Sequence, residues 1–185
     1  MAACSTSEQE SDEGREAVST TRKDGARLRS AGNLDVIKRF TWEISSINIH
    51  LEELRQFWAR TLGISGPQWM ILMAISDLDK DEGIPVNAVS KMLHVDPSFV
   101  TTQSKLLEKK GFLRRKPSPT DARVVRMSLT DKTYKHLASL AAQHEAINDF
   151  IFEEFGENEL AEFTDKLTAL KNRFEKARLK IALDF

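Results

Sequence analysis

A mainly α-helical chain with one small β-hairpin, an α+β fold, is what three observations in the 185-residue sequence predict. Long stretches near both ends carry apolar residues at alternating spacings of three and four, the repeat of a single helix face. Residues 84–130 read as two short helices followed by two short strands with a turn between them. From Lys91 to Arg126 nine Lys or Arg stand against three acids, a local net charge of +6 in a chain whose total is −1. Two helices and a basic hairpin make a winged helix-turn-helix, here flanked by long N- and C-terminal dimerisation helices. The usual target of that module is duplex DNA.

Residues 1–32 are rich in Ser, Thr, Glu and Arg without apolar periodicity, so ordering them would not be offset by burial and a flexible polar tail is expected. An arm that grasps DNA through Arg22, Lys23, Arg27 and Arg29 is the alternative, opposed by the tail's six acids against five bases. From Asn33 the pattern changes. Ile37, Phe40, Ile44, Ile47, Leu51, Leu54 and Trp58 form one continuous apolar seam, which predicts a dimerisation helix over 33–62. Residues 63–130 are the DNA-binding module, and 131–185 supply C-terminal helices that complete the dimerisation region. In that last part a helix is expected from about Asp131 to Phe155, and Leu160, Phe163, Leu167, Leu170, Phe174, Ala177 and Ile181 repeat the seam. One such seam would suit a helix packed on its own domain, whereas seams at both ends favour a homodimer that intertwines its termini.

The module opens with GPQWMILMAISDL, an apolar helix with Pro67 near N1 after a glycine cap. DKDEGIP breaks it. A short helix over Val86–Leu93, with Val89 and Leu93 inward, is followed by a turn at His94, Val95 and Asp96. Asp96 is placed to cap a second helix running from Pro97 to about Lys110, and Gly111 to end it in a left-handed conformation. On this second helix Val100, Ser104 and Leu107 recur at i, i+4 and i+7 and should face inward. Ser98, Thr101, Thr102, Gln103 and Lys105 are then left outward, short polar groups suited to base edges and phosphates in a major groove. An ordinary solvated helix face would have the same composition.

The hairpin weighs for DNA. Phe112–Lys116 and Val124–Leu129 read as strands around PSPTDAR, a turn-forming loop. Arg115 on the first strand and Arg123 near the tip complete the candidate DNA-binding set, Arg123 being suited to a narrow minor groove. Asp121 is placed to pair with Arg123, holding it extended or forming a tip salt bridge of little energetic value.

The stretch VDPSFVTTQSKLLEKKGFLRR, the wing Asp121-x-Arg123 and the following Ser128-Leu129-Thr130 resemble the MarR family of bacterial transcription regulators, over roughly residues 33 to 181. The resemblance implies a cytoplasmic, nucleoid-associated homodimer on a pseudo-palindromic operator. It further implies a repressor, of a catabolic operon in this reading, released by a small molecule, often an aromatic acid or its CoA thioester. The family often carries Arg where this chain has Thr102. For such an effector the candidate residues are Trp42, His50, Arg55, Trp69 and His144, with Trp58, Phe40 and Phe57 as further aromatic walls and Arg60 as a second carboxylate partner. Core aromatics and surface arginines are the plainer reading of the same residues. A winged-helix scaffold that binds protein without DNA is the competing class.

Other chemistries find no motif. Cys4 is the only cysteine, which excludes an intramolecular disulfide and fits a reducing cytosol. His50, His94, His136 and His144 have no metal-ligand spacing, and no phosphate loop or nucleophile elbow is present. Neither an enzyme nor a cofactor is expected. The longest charge-free run, Thr61 to Ser76, has 16 residues, short of the roughly 20 that span a bilayer. A leader segment is not expected either, because the first 30 residues lack an apolar core.

Overall fold

The computed structural model describes residues 31–79 and 82–184. In chain order the elements are α1 (Ala31–Thr61), α2 (Gly66–Leu78), β1 (Ile84–Pro85), α3 (Val86–Leu93), α4 (Pro97–Lys109), β2 (Leu113–Pro117), β3 (Val125–Leu129), α5 (Asp131–Phe152) and α6 (Glu157–Asp184). The tail expected over residues 1–32, with its basic arm and Cys4, lies outside the described residues except for Ala31 and Gly32, which already belong to α1. The chain divides into two compact units, residues 1–70 and 71–185, with the boundary inside α2.

In the first unit the predicted seam of α1 is mostly uncovered. Ile37, Phe40, Ile44, Ile47 and Leu51 are exposed, Leu54 is half-buried and Trp58 is buried. Burial gathers at the helix's C-terminal end, where Trp58 and Ala59 are joined by Ile64 and Trp69 in the buried set, and Phe57 meets Trp58 edge to face at 5.0 Å. The start of α2 differs from expectation. Ser65, not a glycine, caps the helix: its hydroxyl accepts the Gln68 N–H at 3.4 Å while Gln68 Oε1 accepts the Ser65 N–H at 3.2 Å. That reciprocal pair is a capping box in its glutamine form, and it moves Pro67 to the second helical position.

In the second unit Ile71, Leu72 and Ile75 are fully buried, as are Val89, Val100, Leu107 and Met127, with Leu113 and Leu129 nearly so. The segment read as a simple helix break also builds a third strand. Gly83, at φ +71, turns the chain with its N–H donated to Asp79 Oδ1 at 2.9 Å, and β1 then pairs antiparallel with β3, Ile84 opposite Met127. The sheet order is β1-β3-β2, and β2 faces β3 from Leu113 opposite Leu129 to Pro117 opposite Val125. A residue with a Cβ at position 83 would stand 3.2 Å from the Met127 carbonyl oxygen, so glycine answers both the backbone angle and the strand's approach.

The base of the hairpin is tied to α5 by the Leu129-Thr130 step. Leu129 is buried, while Thr130 caps α5 by accepting the Thr133 N–H and donates its own hydroxyl to the Gly111 carbonyl at 2.9 Å. The helix expected to reach Phe155 stops at Phe152, where a turn closed by the Phe155 N–H on the Phe152 carbonyl leads into Gly156. Phe152, Phe155 and Phe163 cluster at this turn, with ring centroids 6.4 and 6.2 Å apart. On α6 the seam residues Leu160, Leu167 and Leu170 are half-buried, and Phe163, Phe174, Ala177 and Ile181 are exposed. No described helix is long and apolar enough to cross a membrane.

Candidate nucleic-acid interface

The helix that would read DNA is fixed at both ends by local chemistry. Asp96 accepts the Ser98 N–H on Oδ1 at 2.7 Å with Pro97 beginning the helix. Hydrogen bonding from Ser98, side chain first and backbone second, holds the Asp96 carboxyl below its ordinary value of 3.8. Ahead of it, His94 adopts a left-handed φ of 54° and closes α3 through its N–H to the Lys91 and Ser90 carbonyls, a conformation that non-glycine residues seldom take. The turn between α3 and α4 is thus set by backbone angle as well as by packing. At the far end Gly111 stands at φ +76, the left-handed stop expected of it.

Val100, Ser104 and Leu107 are all buried on α4, the inward triad that the i, i+4, i+7 spacing predicts. On α3 only Val89 of the expected pair is buried, and Leu93 is half-buried. At about 100° per residue, Ser98, Thr101, Thr102 and Lys105 fall within about 100° of one another on the opposite side. Gln103 does not belong with them. It lies about 140° round from Ser98 and only about 60° from Val100, and it is half-buried, so its place on the outward face is corrected to the flank of the core. Thr102 is exposed, and its hydroxyl donates back to the Ser98 carbonyl at 3.0 Å.

Helix and hairpin meet around a cleft of about 280 Å³, lined by Ser98 and Thr101 from α4, Arg115 from β2, and Arg123, Val124 and Val125 from the wing. Four of the seven residues proposed for DNA contact thus share one concavity. Asn87, near the start of α3, lines it too; no signal in the sequence marked that residue. Within this region the Arg115 Nε–H is buried without a hydrogen-bond acceptor, although the same residue's backbone N–H is satisfied by Glu108 Oε1 at 3.0 Å.

The wing tip corrects a second expectation. Asp121 Oδ1 accepts the Arg123 backbone N–H at 2.9 Å; the contact found is an Asx turn in place of the predicted side-chain ion pair. The count of +6 also overstates the available charge. Arg126 donates through Nε to the Glu82 and Gly83 carbonyls at 2.9 and 3.1 Å and meets the Glu82 carboxylate at 3.3 Å. It fastens β3 to the approach of β1, an engagement that residue counting cannot see.

Within the first unit, the residues proposed for an effector are spread along α1 and into α2. Trp42 is 76% exposed and Trp69 is 4% exposed, while Trp42 and Trp58, on one helix, stand about 24 Å apart along its axis. Helical rise alone keeps those rings from sharing a cavity. His50, exposed, lies 3.2 Å from Glu53, and Arg55 Nη1 donates to Glu52 at 3.2 Å. His144, in the second unit, is exposed with Asn148 Nδ2 at 3.3 Å from its Nδ1.

Comparison with known proteins gives a consistent picture. The MarR family model matches residues 64–125, the stretch from the start of α2 to the second strand of the wing. Over 112 residues, 59% of this chain and 72% of the relative, the chain is 29% identical to the HTH-type transcriptional repressor MdtR of Bacillus subtilis (strain 168). Among solved structures, a cysteine-to-serine mutant of MarR from E. coli complexed with operator DNA superposes with a TM-score of 0.61 at 21% identity, covering 74% of this chain and 96% of that one. CouR from Rhodococcus jostii RHA1, bound to p-coumaroyl-CoA, gives a TM-score of 0.62 at 18% identity, covering 71% and 90%. At these identities the structural likeness speaks for the fold.

Proposed function

We propose that the chain is a transcription regulator of the MarR family, whose model matches residues 64–125, and that it works as a homodimer on pseudo-palindromic operator DNA, most simply as a repressor. It is a regulator of the MarR type and not an enzyme. The observation that carries the DNA reading is the cleft shared by α4 and the wing, which gathers Ser98, Thr101, Arg115 and Arg123. Short hydroxyl groups at a helix N-terminus beside the Arg115 guanidinium suit a major groove and its flanking phosphates. In a two-fold assembly the α4 helices enter successive major grooves about 34–36 Å apart, with Arg123 reaching the neighbouring minor groove.

The exposed seam of α1, five large apolar residues on one face, supports the dimer, because leaving such a stripe in water forfeits the burial that its pattern offers. Release by a small molecule completes the proposal: an aromatic acid or its thioester would change the spacing of the two lobes so that both half-sites cannot be met together. CouR, solved bound to p-coumaroyl-CoA, supports a thioester as the kind of effector, and a catabolic operon is the corresponding target in this reading.

Filter binding with duplex DNA fragments, matched RNA and no nucleic acid tests the central claim. Affinity for duplex DNA should fall about 10³–10⁵-fold between about 50 and 200 mM salt if about six to ten phosphates are neutralised. Indifference to duplex DNA at low salt, with intact folding, would defeat the reading and favour a scaffold.

A further inference from the structure

A second concavity lies away from the wing, where α3 and the turn after it face α6 across an open cleft of about 950 Å³. Lys91 and His94 line it from one side and Lys171, Phe174, Glu175 and Arg178 from the other. We propose that this cleft binds a phosphate monoester that carries an aromatic group, the chemistry of a nucleoside monophosphate.

Charge chooses the head group. Three permanent cations against Glu175 give the cleft a net charge of +2 before His94 is counted, and Glu175 is itself partly engaged, its carboxylate 3.7 Å from His94 Nδ1. A phosphate monoester brings about −1.5 to −2 near neutral pH and three acceptor oxygens, which match that surplus. A carboxylate brings one charge and leaves the rest of the surplus unmatched. Arg178 can take two phosphate oxygens through its planar fork, and the lysines act as point charges.

The ring of Phe174 chooses the body of the ligand. It is 62% exposed at the edge of the cleft, a flat apolar face among cations, which is how proteins commonly hold an aromatic base beside its phosphate. Positions 171, 174, 175 and 178 fall at i, i+3, i+4 and i+7, one stripe of α6, so the whole cluster addresses the cleft together. The volume is at the upper end of the range for small-molecule sites and leaves room for both parts. Binding at this site does not depend on the proposed DNA function. Any effect on DNA does rest on it, since the cleft adjoins the turn that aims α4.

Calorimetric titration of the full chain without DNA decides the matter, with AMP, adenosine, inorganic phosphate and benzoate as probes. AMP should bind about tenfold or more tightly than any of the other three, and Lys171→Glu combined with Arg178→Glu should remove about tenfold or more of that affinity. Phe174→Ala should weaken AMP but not phosphate, and Lys91→Glu, on α3, should weaken both. Arg123→Ala should leave AMP binding as it was even where it abolishes DNA binding, which separates this proposal from the previous one. Benzoate binding as tightly as AMP, AMP binding that survives reversal of the α6 charges, or no AMP binding alongside weakened duplex binding by the α6 variant would each overturn it.

Discussion

Asp121 Oδ1 accepts the backbone N–H of Arg123 at 2.9 Å, so the carboxylate shapes the wing tip through the main chain and leaves the guanidinium to point elsewhere. Two variants separate those roles. Arg123→Ala should weaken operator binding by about tenfold or more without changing the oligomeric state, because it removes a cation suited to the minor groove. Asp121→Ala should produce a smaller loss by loosening the turn, and adding it to Arg123→Ala should cost little more. Gel-shift titration of the two single variants and the double gives the coupling; equal affinity for the wild type and Arg123→Ala would take that residue out of the interface.

Arg115 presents a stability and function trade-off. Its Nε–H is buried with no acceptor, and a buried unsatisfied donor costs about 1–3 kcal/mol. Replacing the guanidinium by an unbranched apolar chain removes that cost while keeping packing of the stem. Arg115→Met should therefore hold or raise the urea midpoint and at the same time lose affinity for duplex DNA. A variant that is destabilised and binds DNA normally would reassign Arg115 to the fold.

How much of this could be read from the residues depends on whether the cause was local. The inward triad Val100, Ser104 and Leu107 was legible because helical period and burial coincide, and Asp96-Pro97 because capping needs only neighbouring residues. Strand β1 was hidden: two residues, one of them proline, become a strand only because β3 offers a partner at Met127 and Arg126. Gln103 was misread by side-chain polarity when helix angle decides its place. The fate of Arg126 is set by contacts with Glu82 and Gly83, more than forty positions away in sequence, and the left-handed His94 follows from the tight link between two helices. Non-local geometry of this kind also explains why the residues that α3 and α6 bring to one cleft carried no common signal.

Acid should release the cap of α4. The folded-state pKa of Asp96 lies below the ordinary 3.8 because Ser98 hydrogen-bonds its carboxylate. A depressed folded value means the stabilisation is fully present above the ordinary pKa and is lost as pH falls through the folded one. The gap in Tm between the wild type and Asp96→Ala should accordingly be constant from neutral pH down to about 4 and shrink below it. A gap that persists unchanged into strong acid would mean that the charge of Asp96 does not matter to the cap.

Leu107 is the cleanest probe of the module's core. It is fully buried on α4, on an element that packs against both α3 and β2. Leu107→Ala should cost about 2–5 kcal/mol in urea denaturation through lost transfer energy and the cavity left behind. The loss should appear with an unchanged dependence on denaturant; a cost below about 1 kcal/mol would imply that the site collapses around the smaller side chain.

The proposed dimer is best tested at a position where the chain by itself has nothing to lose. Ile47 sits in the middle of the α1 seam and is 51% exposed, so placing a carboxylate there opens no cavity and buries no charge within the single chain. In a two-fold interface built on that seam, the same change puts two like charges among apolar side chains, close to the symmetry axis or to partner seam residues. Ile47→Asp should then leave helical content and the module's core intact, shift the sedimenting species from twice 21.0 kDa toward a single chain, and reduce DNA affinity because one lobe alone meets one half-site. A substitution in the core could lower affinity by unfolding the module, but this one cannot do so by that route. An Ile47→Asp chain that still sediments as a dimer would remove α1 from the interface and transfer the question to the exposed Phe163 and Ile181 of α6.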